Sequence, residues 1–346
     1  MTLGRTVIAE RLTAQLLAGT PERDSVAVTR RLLAVQGQDP RGVRLAIRAR
    51  SEGLTAADLD RAMTDDRSLL ITWLNRGTLH LVASEDYPWL HSLTAPRLLR
   101  GNARRLAQEG VEPADADRGV AAIERALSRE GPLGRGQLRE RIAAAGVRTE
   151  GQALVHLLMA ASLRGLTVRA PMVDGQQAYV LVSEWLGKPA PIDRGRALAD
   201  LARRYLAGHG PATDRDLARW SGMALGDVRA GLAAIAPELS ERGDGLLALA
   251  PGVAAAPLPP PRLLGAFDPV LLGWSSREEL LGANRDIVTT NGIFRPFALV
   301  RGRAAATWGL AGGAVELVPF ADLSPAVATA LGHEAQDVLR YLGQAG

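Results

Sequence analysis

The sequence predicts an α+β protein built from three tandem winged helix-turn-helix units and a C-terminal β-rich, barrel-like module. Three observations carry that prediction. A degenerate segment recurs as "SEGLTAADLDRAM" (51–63), "REGPLGRGQLRERI" (129–142) and "GHGPATDRDLARWS" (208–221), each with Gly, then Leu or Pro, then a helix carrying Leu59, Leu138 or Leu217. Each repeat is followed by an apolar stretch and then by alternating, strand-like residues. After the Pro-rich "PLPPPR" (257–262) the pattern changes to short strands and one last helix.

Taken in order, the chain opens with "MTLGRTVIAERLTAQLLAG", a helix whose Arg5, Glu10 and Arg11 interrupt any signal-peptide core. Thr55 is placed to cap the first repeat helix. "RSLLITWLN" (67–75) reads as an apolar helix leading into the strand "GTLHLVAS" (77–84). In the second unit the helix "EGQALVHLLMAASLRG" (150–165) precedes "LTVRAPMVDGQQAYVLVS" (166–183), where Asp174-Gly175 marks a hairpin turn. In the third, capped by Thr213, the helix "LGDVRAGLAAIAPE" (225–238) precedes "LSERGDGLLALAP" (239–251), read as another hairpin about Asp244-Gly245. Boundaries at "GKPAPID" (187–193) and at the Pro-rich spacer give units at 1–110, 111–190 and 191–256, and a module at 262–346. Within that module "IFRPFALV" and "RAAATWGL" form a hairpin about Arg301-Gly302. "AVELVPF" adds a strand, and a helix spans 324–342.

Composition narrows the chemistry. With no cysteine, the chain offers no disulfide, thiolate metal site, iron–sulfur cluster or cysteine nucleophile. Its five histidines are scattered without metal-ligand spacing, so no metal and no cofactor is expected. No apolar run reaches the ~20 residues of a membrane span, which predicts a cytoplasmic protein with no membrane contact. Lys188 is the only lysine among 41 basic residues, and the net charge is +4. Arginine suits phosphate and base edges, so nucleic acid is a candidate partner.

Several clusters admit two readings. Arg97, Arg100, Arg104 and Arg105 fall on one stripe of the helix "APRLLRGNARRLAQEG" (95–110), either a phosphate-tracking face or a solvated surface. His80, with Arg76 and Thr78, is either a hydrogen-bonded core histidine with its neighbours or a lining group of a polar pocket. Glu112, Asp115 and Asp117 are either carboxylates for acid–base chemistry or, preceding an apolar helix, groups that favour its N-terminus electrostatically, and the second reading is preferred. Gln36 and Gln38, in "AVQGQDP" (34–40), are either capping groups or a site, because glutamine does not titrate and is costly to bury.

Four stretches together bear on that choice: "LLAVQGQDPRGVRLAIRAR" (32–50), "DRSLLITWLNRGTLHLVASEDYPWL" (66–90), "GAFDPVLLGWSSREELL" (265–281) and "NGIFRPFALVRGRAAATW" (291–308). In composition and order they resemble the AlkZ-like winged-helix DNA glycosylases. That resemblance implies the units and the β-module are arranged around a DNA channel. It implies excision of bulky or cross-linking N7-alkylguanine lesions, such as those left by genotoxic natural products, and hence possible self-resistance. It also implies that Gln36 and Gln38 are the catalytic pair. Arg76, Thr78, His80, Arg97, Arg100 and Arg104 are the candidate DNA contacts. The expected partner is double-stranded DNA carrying alkylated purines, and the expected state a monomer. With its one lysine in a linker, the enzyme is expected to be monofunctional, without lyase activity. We expect the helix before the motif to end in an extended turn that aims both glutamines at the channel.

The rival reading is a winged-helix DNA-binding protein or transcription regulator without catalysis. The apolar stretches before the first two wings argue against it, since recognition helices expose polar side chains. A protein–protein scaffold is the third reading, and would require the arginine stripe to be covered by other protein.

Overall fold

The computed structural model describes residues 4–188, 190–240, 242–282, 284, 286–289 and 291–344. Met1–Leu3 of the expected first helix, Pro189 of the expected linker and Glu241 of the expected third hairpin lie outside the described residues. The chain divides into two compact units, Met1–Leu59 with Leu198–Gly346, and Asp60–Ala197.

The first segment of the discontinuous unit carries α1 (Arg5–Ala14), α2 (Ser25–Leu32), the two-residue strand β1 (Val35–Gln36) and α3 (Pro40–Arg48). The Asp24 carboxylate accepts from the Val26 and Ala27 amides to start α2. Asp39 does the same for α3, accepting from Arg41 and Gly42, with Pro40 at the first helical position where no amide is needed. Helix α4 (Ala56–Thr64) starts directly after Thr55, whose amide donates to the Asp58 carboxylate.

The continuous unit holds β2 (Leu69–Leu74), β3 (Thr78–Ala83), α5 (Tyr87–Gln108), α6 (Pro113–Glu130), α7 (Arg135–Ala144), α8 (Ala153–Leu163), β4 (Thr167–Val173), β5 (Gln176–Leu181) and α9 (Val182–Trp185). The stretch expected as an apolar helix is strand β2, antiparallel to β3 with Leu69 opposite Ala83 and Leu74 opposite Thr78. All six β2 residues are buried. A strand covered on both faces reads as a continuous apolar run, which periodicity cannot separate from a buried helix. The expected β4–β5 hairpin is present, with Asp174 at φ 50° and Gly175 at φ 73°, the left-handed pair a tight hairpin turn requires. Pro171 sits where the β4–β5 register shifts, the place a ladder tolerates a residue without an amide hydrogen. Trp73, Leu157, Leu158, Leu138 and Tyr179 belong to one buried cluster beneath this sheet.

The chain re-enters the discontinuous unit through α10 (Arg194–His209), followed by α11 (Asp214–Ser221) and α12 (Leu225–Ala234). Thr213 caps α11 reciprocally with Asp216. The hairpin expected at 239–251 is present in short form among the described residues: Leu239 bridges Leu249, the Ser240 amide donates to the Ala248 carbonyl at 2.9 Å and the Ala250 amide to the Glu238 carbonyl at 2.7 Å. Arg242 forks onto Asp244 and Glu10, so side-chain ion pairs add to this short backbone pairing.

Then come β6 (Arg262–Leu264), α13 (Glu278–Leu281), β7 (Phe297–Val300), β8 (Arg303–Ala311), β9 (Ala314–Pro319) and α14 (Pro325–Tyr341). The four strands form an antiparallel sheet in the order β6-β7-β8-β9. Of the barrel or sheet expected for this β-rich module, the described residues form a sheet backed by a helix. Leu331 and Val338 of α14 pack with Leu263, Ala298, Ala306 and Trp308, supplying the second layer that four strands lack.

Helix α3 is locked to this C-terminal module. Leu45 joins the module's core. A Cβ on Gly42 would lie 2.3 Å from the Ala266 carbonyl oxygen, so only glycine allows this approach. Arg48 donates to Glu334 and Asp337 at 2.8 Å each and to the Leu263 carbonyl at 2.7 Å. Just past the helix, Arg50 forks onto Asp268 at 2.7 and 2.9 Å, and both side chains are fully buried. Its remaining donors meet the Gln15 and Ala46 carbonyls and the Gln15 amide oxygen. Removing one partner leaves a buried charge alone. Asp268→Ala should cost about 3–5 kcal/mol of unfolding free energy, read from urea denaturation midpoints. A loss below about 1 kcal/mol would show that the fork does not hold the module.

Candidate active site

Helix α2 stops without glycine. Leu33 takes φ 65°, an uncommon conformation for a bulky residue, and is completely buried. The surrounding packing holds that strain at the entrance to the glutamine segment. Beyond it the chain is extended through Val35–Gln36 and is caught again by the Asp39 cap of α3. In extended backbone, residues two apart share a face. The Gln36 amide Nε2 accordingly donates to Gln38 Oε1 at 2.7 Å.

The expected release from helix into extended chain is present, but the two glutamines are not alike. Gln36 is 7% exposed, and its Oε1 is buried with no partner among the described residues. Gln38 is exposed and lines a cleft of about 820 Å³ with Asp39, Pro40, Arg41, Phe267, Asn291, Gly292 and Ile293. Because Gln36 Nε2 is committed to Gln38 Oε1, each side chain keeps one group in reserve. Gln36 keeps a carbonyl oxygen that can accept, and Gln38 keeps an NH₂ that can donate at the cleft. Phe267 has φ 57° and precedes Asp268 of the buried fork. The cleft wall and α3 therefore share one anchor.

The continuous unit carries the remaining sequence candidates. Arg76 is exposed at the β2–β3 turn, while His80 is 4% exposed on β3. His80 Nδ1 lies 2.9 Å from the Thr78 carbonyl, so this nitrogen donates and Nε2 is left as an acceptor. Burial, reinforced by Arg76 and opposed by that hydrogen bond, pushes the imidazole down to about 3. His80 is thus neutral. Thr72 Oγ1, Thr78 Oγ1 and both amide atoms of Asn75 are buried without partners among the described residues. Thr72 stands opposite His80 and Leu74 opposite Thr78, so the two threonines and His80 share one face of the hairpin. On α5, Arg97, Arg100, Arg104 and Arg105 are all exposed while Ala95, Asn102 and Leu106 turn inward. Asp115 and Asp117 pair with Arg118 and Arg164 at the start of α6.

Sequence reasoning missed Phe267, Asn291 and Ile293 as cleft residues. The Asn291-Gly292 dipeptide, a turn former, is the local signal that could have pointed to that wall. It also missed Asn75, whose φ of 54° sets it at the hairpin turn. Among the described residues no group of three or more His, Cys, Asp or Glu could hold a metal ion, and no helix is long and apolar enough to cross a membrane.

The model of the AlkZ-like DNA glycosylases matches residues 29–341. The chain belongs to that family. It is 26% identical over 370 aligned positions to the interstrand DNA cross-link repair glycosylase of Streptomyces sahachiroi, covering 98% of this chain and 96% of that protein. It also superposes on the structure of the DNA glycosylase AlkZ of Streptomyces sahachiroi with a TM-score of 0.79 and 24% identity, over 99% of this chain and 98% of the other. That likeness supports the mixed helical and antiparallel-sheet fold.

A second buried imidazole in this AlkZ-like glycosylase, His209, lies among the rings of Tyr205, Trp220 and Trp274, and burial pushes it down to about 3 as well. Folding keeps both imidazoles neutral, whereas the unfolded chain protonates them near 6.5. Their contribution is complete above pH 6.5 and is lost as pH falls toward 3, at ~1.4 kcal/mol per group per pH unit. Urea midpoints should fall between pH 6.5 and 5, before the carboxylates titrate. A midpoint constant over that interval would contradict the buried, neutral assignment.

Proposed function

We propose that the protein is a monofunctional DNA glycosylase that hydrolyses the N-glycosidic bond of bulky or cross-linking N7-alkylguanine lesions in double-stranded DNA, consistent with self-resistance to a genotoxic natural product. The observation that carries this reading is the Gln36–Gln38 hydrogen bond, with one amide buried and the other at the cleft. The cross-link repair activity named for the Streptomyces sahachiroi relative supports the lesion class.

The chemistry suits uncharged groups. Alkylation at N7 makes the base cationic, so it leaves without being protonated first. Cleavage builds positive charge on the deoxyribose, and water must attack from the face opposite the departing base. Two coupled amides can hold that water and a sugar or phosphate oxygen in place. The advantage is positional, because a misplacement of about 1 Å costs roughly a hundredfold in rate. Lys188 is exposed and lies beyond α9, remote in sequence from the Gln segment. With Lys188 the only lysine of the sequence, this reading includes no lyase step through a lysine amine, and an abasic site is its product.

Residues 1–110, 111–190 and 191–256 are read as winged-helix units that present these groups to a DNA channel. Arg97, Arg100 and Arg104 on α5 follow phosphates, with Arg76, Thr78 and His80 as further DNA contacts in the same reading. The protein is read as acting as a monomer.

Two measurements test this. Purified protein is incubated with N7-alkylguanine duplexes, and released base is counted under single-turnover conditions. Gln36→Ala and Gln38→Ala should each slow release by about a hundredfold, and the wild-type rate should stay flat from pH 6 to 8. No release by wild type from any such duplex, with binding intact, would remove the enzyme reading. Separately, Arg100→Ala and Arg104→Ala should each make the slope of log K against log salt shallower by about 0.9. An unchanged slope would make the stripe a solvated surface.

A further inference from the structure

Among the described residues four large hydrophobic side chains are exposed, and one of them, Ile293, shares the cleft with Gln38. Ile293 is 53% exposed. Its backbone is held, not loose. The Ile293 amide donates to Thr289 Oγ1 at 3.1 Å, and its carbonyl accepts from the Thr289 amide at 2.9 Å. Val288 and Phe294 bridge the base of the turn, and Gly292 at φ 74° lets it close. The next residue, Phe294, packs its ring 5.5 Å from that of Phe267, with the Arg277 guanidinium 5.0 Å from its centre. An apolar side chain on a braced turn is thus kept out of the core at the rim of the site.

A group that tracks phosphate would be charged or polar, and isoleucine is neither. What a rigid, β-branched apolar tip can do against a duplex is enter the stack, where base faces replace water. We infer that Ile293 is a wedge. It slides between the base pairs beside the lesion, opens that step, and brings the alkylated nucleotide toward Gln38. The inference rests on the glycosylase reading above for the identity of the occupant, and it assigns Ile293 a positioning role, not a catalytic one.

The test uses full-length protein and duplexes with 2-aminopurine next to an N7-alkylguanine or an unmodified guanine. Stacking quenches this probe, so binding of wild type should raise its fluorescence severalfold on the lesion duplex. Ile293→Ala should abolish most of that rise and slow base release about tenfold or more, with the salt dependence of binding unchanged. Ile293→Leu should restore both. Ile293 is exposed and its turn is held by backbone and Thr289 bonds, so Ile293→Ala should unfold at the same urea midpoint as wild type. Equal 2-aminopurine signals for wild type and Ile293→Ala overturn the wedge even if base is released. Absence of base release by wild type with a fluorescence rise that depends on Ile293 overturns the enzyme reading and leaves the wedge standing.

Discussion

The buried fork between Arg50 and Asp268 is the constraint on which the rest of this unit depends. Neither side chain touches water, and every guanidinium nitrogen is matched, so the pair is satisfied only when residues 15, 46, 50 and 268 meet in one geometry. An incomplete version would strand a charge in a dry interior, a penalty far larger than any single apolar contact. The fork therefore selects one placement of α3 against the C-terminal module. The contact between Gly42 and Ala266 makes that placement close, and the Arg48 ion pairs with Glu334 and Asp337 extend it to α14. Gln38 precedes the α3 cap by one residue, and Phe267 precedes Asp268. One electrostatic lock thus fixes both walls of the cleft.

Within that frame the candidate site holds few groups that change charge near neutral pH. The two actors proposed for it, Gln36 and Gln38, are amides. Ordinary glycosidic hydrolysis uses a carboxylic acid to protonate the leaving group and a carboxylate to manage the developing cation. A base that already carries a positive charge needs no such acid. The cleft's Asp39 carboxylate is engaged in capping α3 through the Arg41 and Gly42 amides. In the proposed reading, a site whose actors are amides would be poor at releasing neutral bases and adequate for cationic ones.

Much of the architecture was legible where local chemistry decides conformation. The Asp174-Gly175 and Arg301-Gly302 turns, the Thr213 cap and the closing helix stand where their residues place them. The failures have specific physical causes. Strand β2 is covered on both faces and lost the alternation that marks a half-exposed strand. The short hairpin around Asp244 is also tied by Arg242 to Glu10, a contact spanning most of the chain that no local pattern announces. Whether the β-rich module is a barrel or a sheet was open from its strands alone, because α14, which packs on the sheet, comes after them in the sequence. At the site, the glutamine pair stood out as an oddity. Its asymmetry and the Phe267 and Ile293 wall did not, because both depend on how distant segments meet.

The unit that holds the glutamine pair is assembled from both ends of the chain, Met1–Leu59 and Leu198–Gly346. During synthesis, Gln36 and Gln38 leave the ribosome well before Asp268, Glu334 and Asp337, which hold the adjoining helix. The intervening unit is complete by then. A polypeptide terminated before Asp268 therefore lacks the second wall of the cleft. It would carry the arginines of α5, proposed as phosphate contacts, without the site proposed for excision.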